Sequence, residues 1–363
     1  MVNFDQAQNW YMDDSDPEAN VNSQFDYVII VKNDAIAAAV APFKTWKESL
    51  GHTVNTVTLE WIGANYSGVD VAEKVWNFLH DKYTASEWGI RYVMLVGDMT
   101  VIPTRRVYYA DDGWGLRSDH FYTKLSGGST SAEVWNRDGD ARWGELHDDE
   151  MTVTPDVLVG RIPLNNAADI TNAVHAMIAY EQDSSGWKHS VLLAGGYDDI
   201  HNATQKTDNA ILMEYIRDNL LVPNGWSYTR LYEESGLGTS TYSPPPDYDA
   251  SNANVVTAWN STDHGLAILS DHGNAGGLSG VFWDHDAGTL NKVDDGEVVW
   301  SDLFLKSDVS KLTNAHTPIV GLFGCSSIIL VGPPWPEPDQ TMSNPGSYTD
   351  NTGSELLAQG AAA

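Results

Sequence analysis

Residues 25–60 read FDYVIIVKNDAIAAAVAPFKTWKESLGHTVNTVTLE, and this stretch decides the fold class. Tyr27–Val31 is a short apolar run rich in β-branched residues, with no polar alternation. Such a run suits a strand buried on both faces. From Ala35 the apolar residues recur at helical spacing, and Gly51 supplies a stop signal. His52–Glu60 then alternates in the manner of a second strand. A strand, a helix and a strand in this order predict a parallel α/β sheet.

The same rhythm continues outward. VDVAEKVWNFLHDKYTA (69–85) reads as an amphipathic helix, and RYVMLVGD (91–98) as a buried strand ending at Gly97-Asp98. Residues 105–155, rich in Asp, Gly, Trp and Ser, break the pattern and are expected to form a long surface excursion. PDVLVGRIPL (155–164) restores a strand and NNAADITNAVHAMIAYEQD (165–183) a capped helix. The pattern then restarts with HSVLLAGGYDD (189–199), TDNAILMEYIRDNLL (207–221) and SYTRLYEE (227–234). GLAILSDHG (265–273) and TPIVGLFGCSS (317–327) are two further strands, and GSELLAQGAAA (353–363) opens a helix. The expected organisation is an irregular arm over 1–25, a first α/β subdomain over 26–185 and a second over 186–363. The apolar run at the C-terminus leads us to expect that the domain continues past residue 363.

Composition bounds the function. The 363 residues carry 50 acidic against 20 basic side chains, a net charge of −30. A body this acidic repels phosphate backbones and anionic membranes, which argues against nucleic-acid partners. It attracts cations and basic peptides. No stretch approaches a membrane span, so no membrane insertion is expected. The N-terminus lacks the basic and apolar regions of a signal peptide. Cys325 is the single cysteine, so no intrachain disulfide forms.

In open α/β sheets, ligands bind beyond the carboxyl ends of the strands. Two strands of the second half deliver reactive side chains there. One ends in Ser270-Asp271-His272-Gly273, the other in Gly324-Cys325-Ser326. If these strands are parallel neighbours, His272 and Cys325 emerge at one edge. Imidazole is the usual base for a thiol nucleophile, and Gly273 and Gly324 let a substrate backbone approach. The bland alternative is a buried cysteine beside an ordinary turn histidine.

At this point the sequence resembles a family. DYVIIV, YVMLVGDMTVIPTRRV, SDHFYTKL, DGDARWGE and PDVLVGRIPL, with a helix ending AYE, are similar to the first half of gingipain-type cysteine peptidases. AILSDHGN, PIVGLFGCSS and GSELLAQGAAA are similar to the second half, and the likeness runs over about residues 26–363. The resemblance implies a caspase-like (clan CD) three-layer αβα fold with two subdomains and mostly parallel sheets. The family's usual immunoglobulin-like module is not expected within these residues. It further implies a secreted peptidase acting on peptides or proteins, with Cys325 as nucleophile and His272 as general acid/base. A third acid would follow HSVLLAGGY, at Asp198 or Asp199. Asp208 matches the acid that lines the S1 pocket in Arg-specific members, implying cleavage after Arg or Lys; its plain alternative is a helix N-cap. Two departures stand out. Ser327, Ile328 and Ile329 replace a glycine common after the nucleophile, and residues 332–346 form a long Pro-rich loop.

Asn136, Asp138 and Asp140, followed by Glu145, alternate oxygen donors in a pattern suited to Ca²⁺, which the resembled family also uses. A structural Ca²⁺ site is expected there, and no organic cofactor. Its alternative is a solvated acidic loop. Asp-His pairs at 119–120, 263–264, 271–272 and 284–285 raise a metallohydrolase, but no HExxH is present and His264 and His272 sit at opposite ends of one strand. A serine hydrolase is excluded by order, since no histidine follows Ser326. The 14 Trp residues, together with acidic loops, keep open a non-enzymatic adhesive or scaffold module.

Overall fold

The structure is a computed structural model describing residues 24–108, 115–140, 142–145, 148–149, 154–197, 208–234, 240, 242–288, 294, 296–324 and 351–359. Among these, the chain parts into two compact units, at Asn165–Asn166. The sequence reading drew its boundary at 185/186, after the helix that follows. That helix bonds within the second unit, where the Tyr180 hydroxyl donates to the Gly265 carbonyl at 3.1 Å.

In the first unit, β1 (Tyr27–Val31), α1 (Asp34–Ser49), β2 (Val54–Thr58), α2 (Leu59–Asn65), α3 (Val71–Lys82) and β3 (Tyr92–Val96) follow in order. The hairpin β4 (Arg105–Tyr108) and β5 (Gly115–Ser118), α4 (Ser131–Trp135) and β6 (Leu158–Ile162) complete it. The main sheet runs β2-β1-β3-β6, all parallel. Its helices begin where short polar side chains cap them. Asn33 accepts from the Ile36 amide and Asp70 from the Glu73 amide. Successive residues of β1 face opposite ways. Val28 and Ile30 join the cluster that includes Val75, Trp76 and Phe78 of α3, while Tyr27 meets Phe43 of α1 edge-on, with ring centroids 6.0 Å apart. Burial on both faces explains why β1 shows no polar alternation.

The excursion over 105–155 is not confined to the surface. Phe121, Tyr122 and Trp135 are buried in the cluster that holds Trp76. Both Trp76 and Trp135 donate their indole N–H to the Lys124 carbonyl, at 3.1 and 3.2 Å. Local polarity hid this, because the adjacent Phe121-Tyr122 and the lone Trp135 follow neither strand nor helix spacing. Asp119 in the same segment takes Arg161 of β6 in a two-pronged pair, with both contacts at 2.7 Å, and Arg161 also donates to the Gly97 carbonyl.

In the second unit, α5 (Ala167–Gln182), β7 (Ser190–Gly195), α6 (Asp208–Ile216), β8 (Ser227–Tyr232), β9 (Tyr248–Asp249), α7 (Asn252–Ser261) and β10 (Leu266–Ser270) come first. Then follow β11 (Gly273–Asn274), β12 (Gly277–Trp283), β13 (Val298–Leu305), β14 (Ile319–Phe323) and α8 (Thr352–Ala358). The parallel sheet has the order β14-β10-β7-β8-β9. Val191 and Leu193 pack with Ala210 and Met213 of α6. Leu192 and Ala194 pack with Val255, Ala258 and Trp259 of α7. Helices therefore cover both faces, giving three layers. The sequence reading had no counterpart for β11–β13, which form an antiparallel sheet between the two reactive segments.

Arg161 is almost wholly buried, and Asp119 is its carboxylate partner. Replacing Asp119 by Ala strands a buried guanidinium, so chemical denaturation should register a loss of about 3 kcal/mol in the first unit.

Candidate active site

Three parallel strands of the second unit end at one level. Ser270 pairs with Phe323 on one side and with Gly195 on the other. One residue further, the Asp271 amide donates to the Phe323 carbonyl at 3.1 Å, and the Gly196 amide to the Ser270 carbonyl at 3.0 Å. Thus Gly196, Asp271 and Gly324 stand side by side where the strands leave the sheet. His272 and Gly273 follow at once, and Gly324 directly precedes Cys325. The structure brings the two sequence-singled segments to adjacent strand ends. Cys325 itself lies outside the described residues, as do Asp198 and Asp199.

Backbone approach is tight here. A Cβ on Gly324 would lie 2.7 Å from the Asp271 carbonyl oxygen, 3.2 Å from Gly273 Cα and 2.5 Å from Leu278 Cδ2. Asp271 is 3% exposed. Its carboxylate occupies the room that a side chain at Gly196 or Gly280 would need. Its Oδ1 accepts from the His272 amide at 2.8 Å. The His272 carbonyl accepts from the Ser279 amide at 2.9 Å. His272 is therefore held through its backbone on both sides, while its ring stays half-buried.

Asp208 opens α6; its side chain lies outside what is described. The next residue, Asn209, accepts a 2.8 Å hydrogen bond from the Ser270 hydroxyl at the end of β10. The start of α6 therefore lies against the strand that carries His272. Asp271 is legible in the sequence as part of this strand end, but neither its place between the glycines nor the hairpin is. The signal for Asp271 lay in glycines at 196 and 280, distant in sequence and meaningful only once folded. The hairpin brings Trp300, whose ring centroid lies 5.4 Å from that of His272 with the planes 30° apart.

Two of the other Asp-His pairs serve the fold, while Asp284 and His285 are exposed and 3.2 Å apart. Asp119 holds Arg161. Asp263 pairs with His316 at 2.7 Å. His264 is buried against Ser190, and burial lowers its pKa, keeping it neutral.

In the first unit, ligand oxygens of Asp138, Asp140 and Glu145 all lie within 4.8 Å of one another. The Asn136 amide nitrogen donates to the Asp140 carbonyl at 3.0 Å, while its buried Oδ1 has no hydrogen-bond partner. Burial, followed by the charge of Asp140, raises the pKa of Glu145. Crowded carboxylates with an orphaned amide oxygen fit a hard cation better than they fit water alone.

Comparison with known proteins places these observations. The profile of peptidase family C25 matches residues 20–334. Among solved structures, the chain is similar to the Arg-specific cysteine proteinase gingipain R. They share 17% identity and a TM-score of 0.59, over 92% of this chain and 59% of that one. It is also similar to a complex of the pro- and mature domains of Porphyromonas gingivalis RgpB, at 17% identity and TM-score 0.58, over 93% and 62%. A third, described as a protease, has 15% identity and TM-score 0.57, over 94% and 59%. The chain thus spans about three fifths of the length of the structures it matches. No curated protein matches it significantly.

The close approach at Gly324 gives a direct test. A methyl there meets backbone atoms that cannot rotate away, so Gly324→Ala should lower the unfolding midpoint by an amount worth about 1–3 kcal/mol.

Proposed function

The chain belongs to peptidase family C25, and from that membership we propose that it is a cysteine endopeptidase working through Cys325 and His272. The observation that carries the reading is the register of β10 and β14, which sets Asp271-His272 beside Phe323-Gly324 at adjacent strand ends. Gly324, the residue before Cys325, lies against the Asp271 carbonyl and Gly273 of the loop carrying His272.

The chemistry follows from the residue types. The Cys325 thiolate attacks the scissile carbonyl, and His272 gives a proton to the leaving amine. The same imidazole then takes a proton from water, which hydrolyses the acyl-enzyme. Backbone amides at the turns around Gly273 and Gly324 are the oxyanion donors, where absent side chains leave room for substrate. Asp198 or Asp199, beyond the end of β7, orients His272. Asp208 selects Arg or Lys at P1; a carboxylate at the head of α6 pairs with either cation, most firmly with the guanidinium fork. The strong negative charge favours basic peptide substrates, and the resemblance to gingipains supports a secreted protein. No helix among the described residues is long and apolar enough to cross a membrane.

Ca²⁺ has a structural place at Asn136, Asp138, Asp140 and Glu145. Bound there, it neutralises the crowded acids and fixes the loop.

Two experiments test these assignments. Peptide-library cleavage should show cuts after Arg or Lys that vanish in a folded Cys325→Ala variant, while Asp208→Asn should lose the basic preference by about tenfold or more. Cleavage surviving in Cys325→Ala would overturn the mechanism. For the loop, Ca²⁺ at one hundred times its Kd should add about 2.7 kcal/mol of stability at neutral pH. The folded Glu145 carboxyl is raised above its unfolded value. Without the ion, its contribution to stability is therefore present at low pH and is lost as pH rises through the folded value. Since the cation needs the deprotonated form, its effect on the melting temperature should shrink on acidification. A melting temperature unmoved by Ca²⁺ at pH 7 would remove the site.

A further inference from the structure

We propose that Trp300 forms an apolar subsite for the substrate side chain immediately after the scissile bond, P1′, so that the enzyme selects apolar residues there. This rests on the peptidase reading above and adds a second determinant of specificity to it. Trp300 is 64% exposed, and its neighbour Val299 is 46% exposed although it faces the other way along the strand. Both faces of β13 are in water at this point, so the ribbon projects, and no core accounts for an indole here. Yet the indole is not free to wander. It sits opposite Val281 in the β12–β13 register, and Val281 bridges to buried Tyr197 beyond β7. Two positions along, the Trp283 amide donates to Glu233 beyond β8 at 2.9 Å. The hairpin is therefore pinned to the ends of two strands of the parallel sheet. It holds an exposed ring 5.4 Å from that of His272.

Chemistry gives the side of the substrate. The general acid must stand against the leaving nitrogen, which belongs to P1′. A large apolar surface stacked beside that acid is placed to meet the side chain carried by the same residue. Such a contact removes apolar area from water on both partners, and aromatic anchors are effective at this.

The test uses the intact protein and a peptide library in which only P1′ varies among Gly, Asp, Leu and Phe. Two quantities are read: kcat/KM for the wild type, and retention of the same peptides by the Cys325→Ala variant. The expected result is roughly a tenfold preference for Leu or Phe over Gly, collapsing in Trp300→Ala and largely kept in Trp300→Phe. Leu50→Ala, an exposed change in the first unit, should leave the preference intact. Cleavage without P1′ preference overturns the subsite and leaves the peptidase reading standing. So does an equal loss on every peptide in Trp300→Ala, which would make Trp300 a support for His272. Selective retention lost with Trp300, but no cleavage by the wild type, supports the subsite and overturns the catalytic reading. Neither cleavage nor retention overturns both.

Discussion

A strand covered by helices on both faces has no place for an unpaired charge until it leaves the sheet; Arg230, buried inside β8, is met by Glu214. This constraint organises the whole chain. Leu192, Leu193 and Ala194 in β7 and Ala267, Ile268 and Leu269 in β10 are buried to one side or the other. A carboxylate among them would have to be desolvated without a partner, at a cost of several kcal/mol. Polar side chains therefore gather where strands end. In the first unit, Asp98 beyond β3 is saturated by Thr100 and Asn165. In the second, Glu233 ends β8 and Asp271-His272 ends β10.

The two units use that edge differently. Asp98 is consumed by local hydrogen bonds, and the Arg161–Asp119 pair ties the neighbouring strand to the long excursion. In the second unit, glycines at 196, 280 and 324 open space at three converging backbones. The Asp271 carboxylate fills part of it and fixes the His272 backbone. Rigid support with a partly exposed residue is what the proposed proton transfer at His272 would require, because a misplaced imidazole forfeits the geometry of the reacting atoms.

Charge sets the character of two acidic sites in the first unit. With 50 acids against 20 basic residues, carboxylates outnumber the cations available to pair with them. Asp156 solves this with the amides of Leu125 and Ser126, the Ser126 hydroxyl and Lys124, which together outweigh its burial and hold its pKa low. Glu145 is met by Arg142 at 3.6 Å, but burial and then the charge of Asp140 outweigh that contact, and its pKa moves the other way. The two carboxylates thus shift in opposite directions, one held low by its donors and the other raised by burial and a like charge.

Periodicity and order of residues determined the layered α/β class, because two-faced burial writes itself into short apolar runs such as Tyr27–Val31 and Leu266–Ser270. The family resemblance likewise rested on local motifs in both halves, from YVMLVGDMTVIPTRRV and PDVLVGRIPL to AILSDHGN and PIVGLFGCSS, which local sequence preserves. Tertiary structure alone decided three things. It drew the excursion into the core through Phe121, Tyr122 and Trp135, whose spacing matches neither strand nor helix. It made a wedge of Asp271, since the glycines that admit it lie 75 residues before and nine residues after it in the chain. It also inserted the β12–β13 ribbon that sets Trp300 against His272. Each of these depends on contacts between segments far apart in sequence, and no local pattern encodes which distant surfaces will meet.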